Sequence, residues 1–350
     1  MRAAWYGNPT PVGASCARDG ALSTGTLGGR LVLTKGNMSV QLGLTNSHVL
    51  LNKSTFDQER GPFPPSPALG QLSICCPSEE DYKIDSKSRE IELRDATQKA
   101  NMLTGGDDSV AVGNPSLEFW INRRNMHKSE MDLVTTADRK VGSIFAASGH
   151  ITTPNPQYTG DLHNDWGLDW GLVRMAPSRN VSTFVESVPP PGTIFEKFEH
   201  IDSWCSIDAN RTLPVRKYGR TTGWTRGKIS LLASAVVWND KVPNLKDGPT
   251  AVKITFPEKR YGERAVYCHC IANVEDKDAG FKFLSPGDSG SLVLYNGKPP
   301  QGGQIAVVGL GFGDNFASCA SYMMPIDLVM RNIEQVTGGR VTYPVYRGNV

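Results

Sequence analysis

A serine, a histidine and an aspartate stand where together they could carry out acyl transfer. Ser289 lies in the stretch Gly287–Gly290 (GDSG), His48 ends one predicted strand, and Asp169 directly precedes another. A hydroxyl is a weak nucleophile near neutral pH and needs a base to take its proton. Imidazole has a suitable pKa, and a buried carboxylate can fix its tautomer and orientation. We therefore assign Ser289 as candidate nucleophile, His48 as general base and acid, and Asp169 as its orienting partner.

The glycines around the serine have a second chemical use. They allow a sharp turn, so that the backbone N–H groups of Gly287 and Ser289 can point at one spot and form an oxyanion hole. Taken alone, Gly-Asp-Ser-Gly is also a good turn sequence, and a single histidine at a strand end is more often structural. Asp165 is the fallback carboxylate, since the near-repeat Asn164–Val173 contains both aspartates and only its second copy enters an apolar strand.

The elements that must position these residues are mainly strands. Residues 24–35 and 38–45 alternate in polarity around a Gly36-Asn37 turn, which predicts a hairpin. Further strands are predicted at 140–149, 224–238, 251–257, 264–273, 291–295 and 303–312. Turn signals at short intervals favour an antiparallel sandwich or barrel. Residues 325–336 predict a short amphipathic helix. Between 52 and 135 the alternation is lost, and we expect an insertion with one surface helix within 78–103.

Composition limits the possible partners. The 350 residues are 39% hydrophobic and 21% charged with a net charge of +2, which is typical of a globular chain with two core units. A nearly neutral chain gives no reason to expect nucleic acid, and the apolar stretches are too short to span a membrane. The seven cysteines have no disulfide-framework spacing, and the N-terminus lacks the apolar core of a secretory signal. A cytoplasmic protein is the expectation.

One cluster has the residue types of a metal site. Cys268-His269-Cys270 places three ligand types in a row, but strand alternation sends His269 to the opposite face from the two cysteines. We interpret the segment as a half-buried strand, and we expect neither a metal site nor a cofactor.

Four segments carry a family resemblance: Thr45–Val49 (TNSHV), Asp169–Val173 (DWGLV), Tyr218–Trp224 (YGRTTGW) and Gly287–Gly290 (GDSG). Together, and in the order His, Asp, Ser, they resemble the chymotrypsin/trypsin-like serine proteases, especially the bacterial streptogrisin and α-lytic branch. The resemblance implies an all-β fold of two six-stranded antiparallel β-barrels, with a C-terminal helix and a partly helical insertion in the first half.

The implied domain organisation follows from the positions of the segments. Residues 1–176 would form the N-terminal barrel with the insertion at about 52–135, and 177–200 would cross between the halves. Residues 201–337 would form the C-terminal barrel and helix, and 338–350 a tail.

The chain also departs from the family pattern. Arg216 and Arg226 stand where streptogrisin-type enzymes carry a disulfide, and Val49 replaces a cysteine that often follows the histidine. The trypsin-like activation sequence Ile-Val-Gly-Gly is absent, so Asp288 is expected to find an internal partner.

The resemblance also places a primary specificity pocket. Phe283, six residues before the nucleophile, would lie at its base, and Gly309 and Gly311 would leave room in its wall. Without a carboxylate at the base, an apolar or small residue is the expected preference.

The expected function is that of a serine endopeptidase acting on protein or peptide substrates. Two alternatives stay open: a catalytically silent protease-fold module that binds or regulates a partner, and an esterase-type hydrolase that uses the same triad. The 52–135 insertion is a candidate docking element for a partner.

Overall fold

A computed structural model describes residues 6–21, 24–51, 61–104, 114–160, 164–188, 199–208, 210–238, 264–274, 282–300, 302–315 and 320–343. The strands are β1 (Ala14–Arg18), β2 (Gly25–Leu27), β3 (Gly29–Lys35), β4 (Met38–Asn46), β5 (Ser73–Cys75), β6 (Lys140–Ala147), β7 (Ile151–Thr153), β8 (Trp166–Leu168), β9 (Trp170–Met175), β10 (Ile201–Trp204), β11 (Leu213–Gly219), β12 (Gly223–Trp238), β13 (Arg264–Asn273), β14 (Leu292–Tyr295), β15 (Ile305–Asn315), β16 (Ala320–Pro325) and β17 (Arg340–Thr342). The helices are α1 (Ser47–Leu50), α2 (Pro67–Gly70), α3 (Glu79–Thr104), α4 (Pro115–Thr136) and α5 (Ile326–Thr337).

Seven strands of the first half and the C-terminal β17 form an eight-stranded sheet in the order β17-β3-β4-β9-β6-β5-β1-β2. β3 and β4 form the predicted hairpin, paired antiparallel from Gly29↔Leu44 to Lys35↔Met38. In β3 the apolar Leu31 and Leu33 alternate with more exposed residues and face the core, as a half-buried strand should. β4 pairs with β9, and that pairing brings Asn46 opposite Trp170.

The second half contains a closed ring of six strands. β15, β14, β11, β12, β13 and β16 pair antiparallel in that order, and β16 then pairs with β15 to complete the ring. β10 adds to the ring through β15, and β8 through β13, both as parallel neighbours. Closure leaves the six ring strands with partners on both sides, which removes free sheet edges.

The predicted all-β, chymotrypsin-like double-barrel fold is confirmed by this strand pairing. The second barrel has the expected six strands. The sheet of the first half differs in detail, since its eight strands follow an open path rather than a six-stranded ring in the described residues. Short strands such as β2 and β5 account for the extra members, and they carry too few residues to give an alternation signal.

The C-terminal helix is confirmed within one residue at each end. α5 presents Leu328, Val329 and Ile333 to the core and ends at Gly338, which adopts a left-handed φ of 67°. Beyond it the structure corrects the expectation of a tail from residue 338, because Arg340–Thr342 form β17, which pairs with β3 and extends the first sheet by one strand. Residues 344–350 lie outside the described residues.

The insertion contains two long helices where the sequence predicted one. α3 and α4 pack side by side, and α4 was missed because it carries no apolar stripe. Its start is nevertheless locally encoded, since the side chain of Asn114 accepts from the amides of Ser116 and Leu117 and Pro115 occupies the first turn. None of the helices in the described ranges is long and apolar enough to cross a membrane.

Two predicted segments cannot be compared with the structure. The strand at 251–257 lies outside the described residues, as do residues 189–198 of the expected crossing segment 177–200.

Candidate active site

His48 and Asp169 are held together by backbone as well as side-chain contacts. Nδ1 of His48 is hydrogen bonded to Oδ2 of Asp169, and the His48 amide donates to Oδ1 at 3.0 Å. Asp169 is 2% exposed, so this carboxylate is largely removed from water. With both of its oxygens engaged by one residue, Asp169 fixes the orientation of the imidazole and leaves Nε2 to act.

The local fold explains why these two residues meet. β4 ends at Asn46 and the chain enters the short helix α1, while Asp169 lies between β8 and β9. The carbonyl oxygen of Asp169 accepts from the Ser47 amide at 2.9 Å and from Nδ2 of Asn46 at 2.8 Å. Asp165, the fallback carboxylate, is exposed, and its carbonyl oxygen accepts from the Tyr267 amide at 2.7 Å.

Asp169 has a second histidine neighbour that the sequence did not single out. Nε2 of His150 lies 3.7 Å from Oδ1 of Asp169. The Ser148 amide donates to the Trp170 carbonyl at 2.8 Å, and the Trp170 amide donates to Oγ of Ser148 at 2.8 Å. The Gly149 amide donates to Oγ of Ser47 at 3.2 Å. The only available signal was a histidine just after a predicted strand, which is too weak to assign a role.

The electrostatic surroundings of His48 shift the pKa of its imidazole. Burial lowers the pKa of His48, but the charge of Asp169 and the hydrogen bond to it outweigh this effect, and the net pKa is raised above 6.5. A protonated imidazole beside an ionised carboxylate is the state that a general base passes through during catalysis.

Ser289 lies at the junction of the two barrels. Gly287 and Gly290 on either side have φ values of 94° and 95°, which only glycine adopts easily. The Ser289 carbonyl accepts from the amide of Thr26 in β2 at 2.7 Å. A Cβ on Gly290 would lie 2.4 Å from Oγ1 of Thr45, three residues before His48. The first barrel therefore packs directly against the turn that carries Ser289.

The serine hydroxyl has its own partner in this structure. Oγ of Ser289 donates to the carbonyl of Phe312 at 3.2 Å, and in the described residues no hydrogen bond joins it to His48. The hydrogen bond between a catalytic serine and its histidine is often long in the absence of substrate and shortens in the complex. The amides of Gly287 and Ser289 likewise donate to no group within the described ranges, which leaves both free for an oxyanion.

Asp288 does find an internal partner. Its side chain is completely buried, and Oδ2 lies 2.9 Å from Nζ of Lys217, also completely buried. The amides of Thr221 and Thr222 donate to Oδ1 at 2.7 and 3.2 Å, and the Ser285 amide donates to Oδ2 at 3.1 Å. A buried ion pair with this many additional hydrogen bonds is the arrangement in which burial of charge is tolerated.

Lys217 was missed by sequence reasoning. It directly precedes the segment Tyr218–Trp224 that carried the resemblance, and that position was the available signal. Its Nζ also bonds Oγ1 of Thr222 and, at 3.3 Å, the carbonyl of Gly223. The Lys217–Asp288 ion pair holds the peptide on the N-terminal side of Ser289, so it helps to orient the amides of the candidate oxyanion hole.

The predicted specificity residues occupy core positions. Phe283 is completely buried and packs among the apolar side chains of the second barrel. A Cβ on Gly309 would meet Sδ of Met323 at 2.5 Å, and one on Gly311 would meet the side chain of Leu284 at 3.0 Å. The space beside these two glycines is therefore filled by apolar side chains.

Arg216 and Arg226, which replace the expected disulfide, are direct cross-strand partners in β11 and β12. The six cysteines within the described residues are free thiols. Cys268-His269-Cys270 forms part of β13, as predicted, and His269 packs 5.0 Å from the ring of Trp166. Burial lowers the pKa of His269 to about 4, so it is neutral near pH 7.

One group of potential metal ligands gathers in the insertion. Glu92, His127 and Glu130 bring their ligand atoms within 4.8 Å of one another. Arg89 pairs with Glu130 at 2.8 Å, and Nε of Arg123 donates to Nε2 of His127 at 3.3 Å. Since two cations already satisfy these groups, we interpret them as an ion-pair network between α3 and α4.

Among the comparisons with known proteins, only the one with solved structures finds matches. Neither a protein-family model nor a curated protein matches the chain. A glutamic-acid-specific serine protease is 13% identical over 96% of this chain and 100% of its own, with a TM-score of 0.40. Thermobifida fusca Protease A is 11% identical with the same coverage and a TM-score of 0.41. Cellulomonas bogoriensis chymotrypsin is 16% identical over 59% of this chain and 81% of its own, with a TM-score of 0.30.

The neighbours are thus serine proteases, but at these identities and TM-scores they carry no argument about activity. The assignment of a chymotrypsin-like serine protease fold rests on the strand pairing of the two halves.

Proposed function

We propose that the protein is a serine endopeptidase that uses His48, Asp169 and Ser289 as a catalytic triad. Two observations carry the proposal: both oxygens of Asp169 contact His48, and the Ser289 turn packs onto the strand that leads to His48. These contacts support the proposal, because the mechanism needs an imidazole held by a carboxylate near a serine on a rigid turn.

The proposed reaction proceeds in two stages, acylation and then deacylation of Ser289. Oγ of Ser289 attacks the scissile carbonyl carbon while His48 takes the hydroxyl proton at Nε2, and the negative charge of the tetrahedral intermediate faces the amides of Gly287 and Ser289. The C–N bond breaks as His48 gives the proton to the leaving amine, which leaves an acyl-Ser289. Water then attacks the acyl carbon while His48 takes a proton from it. The bond between that carbon and Oγ breaks, His48 returns the proton to Oγ of Ser289, and the carboxylic acid leaves.

The substrate preference is proposed to be apolar or small at the residue before the cut. Phe283, six residues before Ser289, is apolar and buried in the core of the second barrel, so it offers no carboxylate to a lysine or arginine side chain. Docking of a protein partner through residues 52–135 also stays a prediction. Exposed apolar side chains on the two helices, such as Met102 and Leu133, give it a physical basis.

A peptide library read by mass spectrometry tests the proposal against both alternatives. We expect the wild type to cut internal peptide bonds and Ser289→Ala to cut none. Hydrolysis of p-nitrophenyl esters without any peptide cleavage would favour the esterase-type alternative. A folded wild type that cleaves neither substrate class would favour the silent binding module and overturn the proposal.

A further inference from the structure

The first turn of α3 is anchored to the second barrel through one arginine. Nε and Nη2 of Arg220, in the turn between β11 and β12, donate to the two carboxylate oxygens of Asp81, each at 2.5 Å. Nη2 also donates to Oε2 of Glu80 at 3.1 Å. The side chains of Arg220 and Asp81 are only 8% and 10% exposed. A two-pronged contact of this kind fixes orientation as well as distance.

The start of α3 is itself fixed to the first barrel. Ser78 is fully buried, its carbonyl accepts from the Tyr82 amide, and its Oγ accepts from the Asp81 amide at 3.3 Å. Oγ of Ser15 in β1 donates to Oγ of Ser78 at 2.9 Å. Asp81 is therefore fixed to the first barrel and can hold the Arg220 guanidinium in one position.

Arg220 in turn lies directly against the candidate oxyanion hole. A Cβ on Gly287 would lie 2.4 Å from Nη1 of Arg220 and 2.6 Å from Oγ1 of Thr221. The backbone follows the same route, since the Arg220 amide donates to Oγ1 of Thr26 at 3.2 Å and that hydroxyl donates to the Gly287 carbonyl at 2.9 Å. Oγ1 of Thr221 donates to the carbonyl of Pro286 at 2.8 Å.

From these contacts we infer that Asp81 and Arg220 are positioning residues, through which the inserted α3–α4 pair sets the orientation of the Gly287 amide. The inference rests on the proposed function, because an oxyanion hole matters only if Ser289 reacts. The Arg220 guanidinium lies beside Gly287, and the Arg220 amide reaches the Gly287 carbonyl through the Thr26 hydroxyl. Loss of Asp81 frees the guanidinium, while the backbone route through Thr26 stays in place. The insertion thereby becomes part of the catalytic support, and a ligand that moves α3 would change the reaction rate.

Asp81→Asn tests the inference, because it keeps the shape of the side chain and removes its charge. The matched control is Glu79→Gln in the same helical turn, since Glu79 pairs with Arg139 at 2.7 Å rather than with the nucleophile turn. The readouts are the rate constant for fluorophosphonate labelling and kcat and KM on an activated ester. Thermal unfolding is followed in parallel.

We expect Asp81→Asn to lower the labelling rate and kcat about tenfold or more with little change in KM, as for a partly displaced oxyanion donor. Glu79→Gln should leave both near the wild-type values. If Asp81→Asn fails to fold, Arg220→Lys decides, since it keeps the charge and loses the fork geometry. Equal effects of Asp81→Asn and Glu79→Gln, or none, would overturn the inference. An unlabelled wild type would instead overturn the proposed function.

Discussion

The two sides of the candidate site are held by different forces. On the His48 side, the register between β4 and β9 and a carboxylate with two contacts to one residue position the base, next to a core of buried aromatic and aliphatic side chains. On the Ser289 side, two buried ion pairs, Lys217–Asp288 and Arg220–Asp81, brace a glycine-rich turn.

The difference follows from what each side must do. A base needs one side chain in one orientation, and a strand end provides this with ordinary backbone pairing. An oxyanion hole needs backbone amides in a conformation with positive φ, which local sequence alone does not favour. Hydrogen-bonded charges supply the additional constraint. Substitutions on the two sides should therefore have different effects.

The largest expected effect is on the His48 side. Asp169→Asn should lower kcat by about 10⁴-fold, because the amide favours the wrong imidazole tautomer while the fold is kept. Steady-state kinetics with an unfolding control would measure this. A loss below tenfold in a folded variant would show that Asp169 does not orient the base.

The next effect concerns the Ser289 side and appears in stability. Lys217→Met should lower the free energy of unfolding by about 3–5 kcal/mol, because it leaves the buried Asp288 carboxylate without its counter-ion. Denaturant unfolding measures the loss. The double variant Lys217→Met/Asp288→Leu removes both charges and should recover part of that stability, though not activity. A neutral Lys217→Met would contradict the electrostatic account of this side.

A smaller effect is expected where α5 supports the His48 side. Oδ1 of Asn332 accepts from Nε1 of Trp170 at 2.9 Å in the core. Asn332→Leu should cost about 1–3 kcal/mol, because a buried N–H loses its acceptor. Labelling of Ser289 should continue at near the wild-type rate when measured well below the melting temperature. A loss of labelling in the folded variant would place α5 in the catalytic support.

The smallest predicted change is a shift in pH dependence. Because the pKa of His48 is raised, kcat/KM should fall as pH decreases through a value above 6.5, where the base becomes protonated. In Asp169→Asn the charge that raises the His48 pKa is absent, so the acid limb of the pH profile should move to lower pH. The His48–Asp169 pair should also add stability to the folded state. That stability is fully present below about pH 6.5 and is lost as pH rises through the His48 pKa of the folded protein. An unchanged limb would contradict the coupling.

The division also explains what the sequence could predict. The residues of the His48 side lie in short motifs beside strands with clear alternation, and α5 has one apolar face, so local patterns were sufficient. Asp288 was expected to have an internal partner, but Lys217 and Arg220 come from a distant hairpin. Asp81 lies in the predicted surface helix of the insertion, and no local pattern indicated its contact with Arg220. α4 was missed because a helix that packs mainly on another helix needs little amphipathic signal. Contacts between distant residues are set by tertiary packing.

The most direct test of the central claim is covalent labelling of Ser289 by a fluorophosphonate probe, read by intact mass and peptide mapping. We predict one adduct on Ser289 in the wild type, none in Ser289→Ala, and a labelling rate in His48→Ala reduced by at least about 10³-fold. Labelling of a different residue, or labelling of Ser289 that does not depend on His48, would contradict the account.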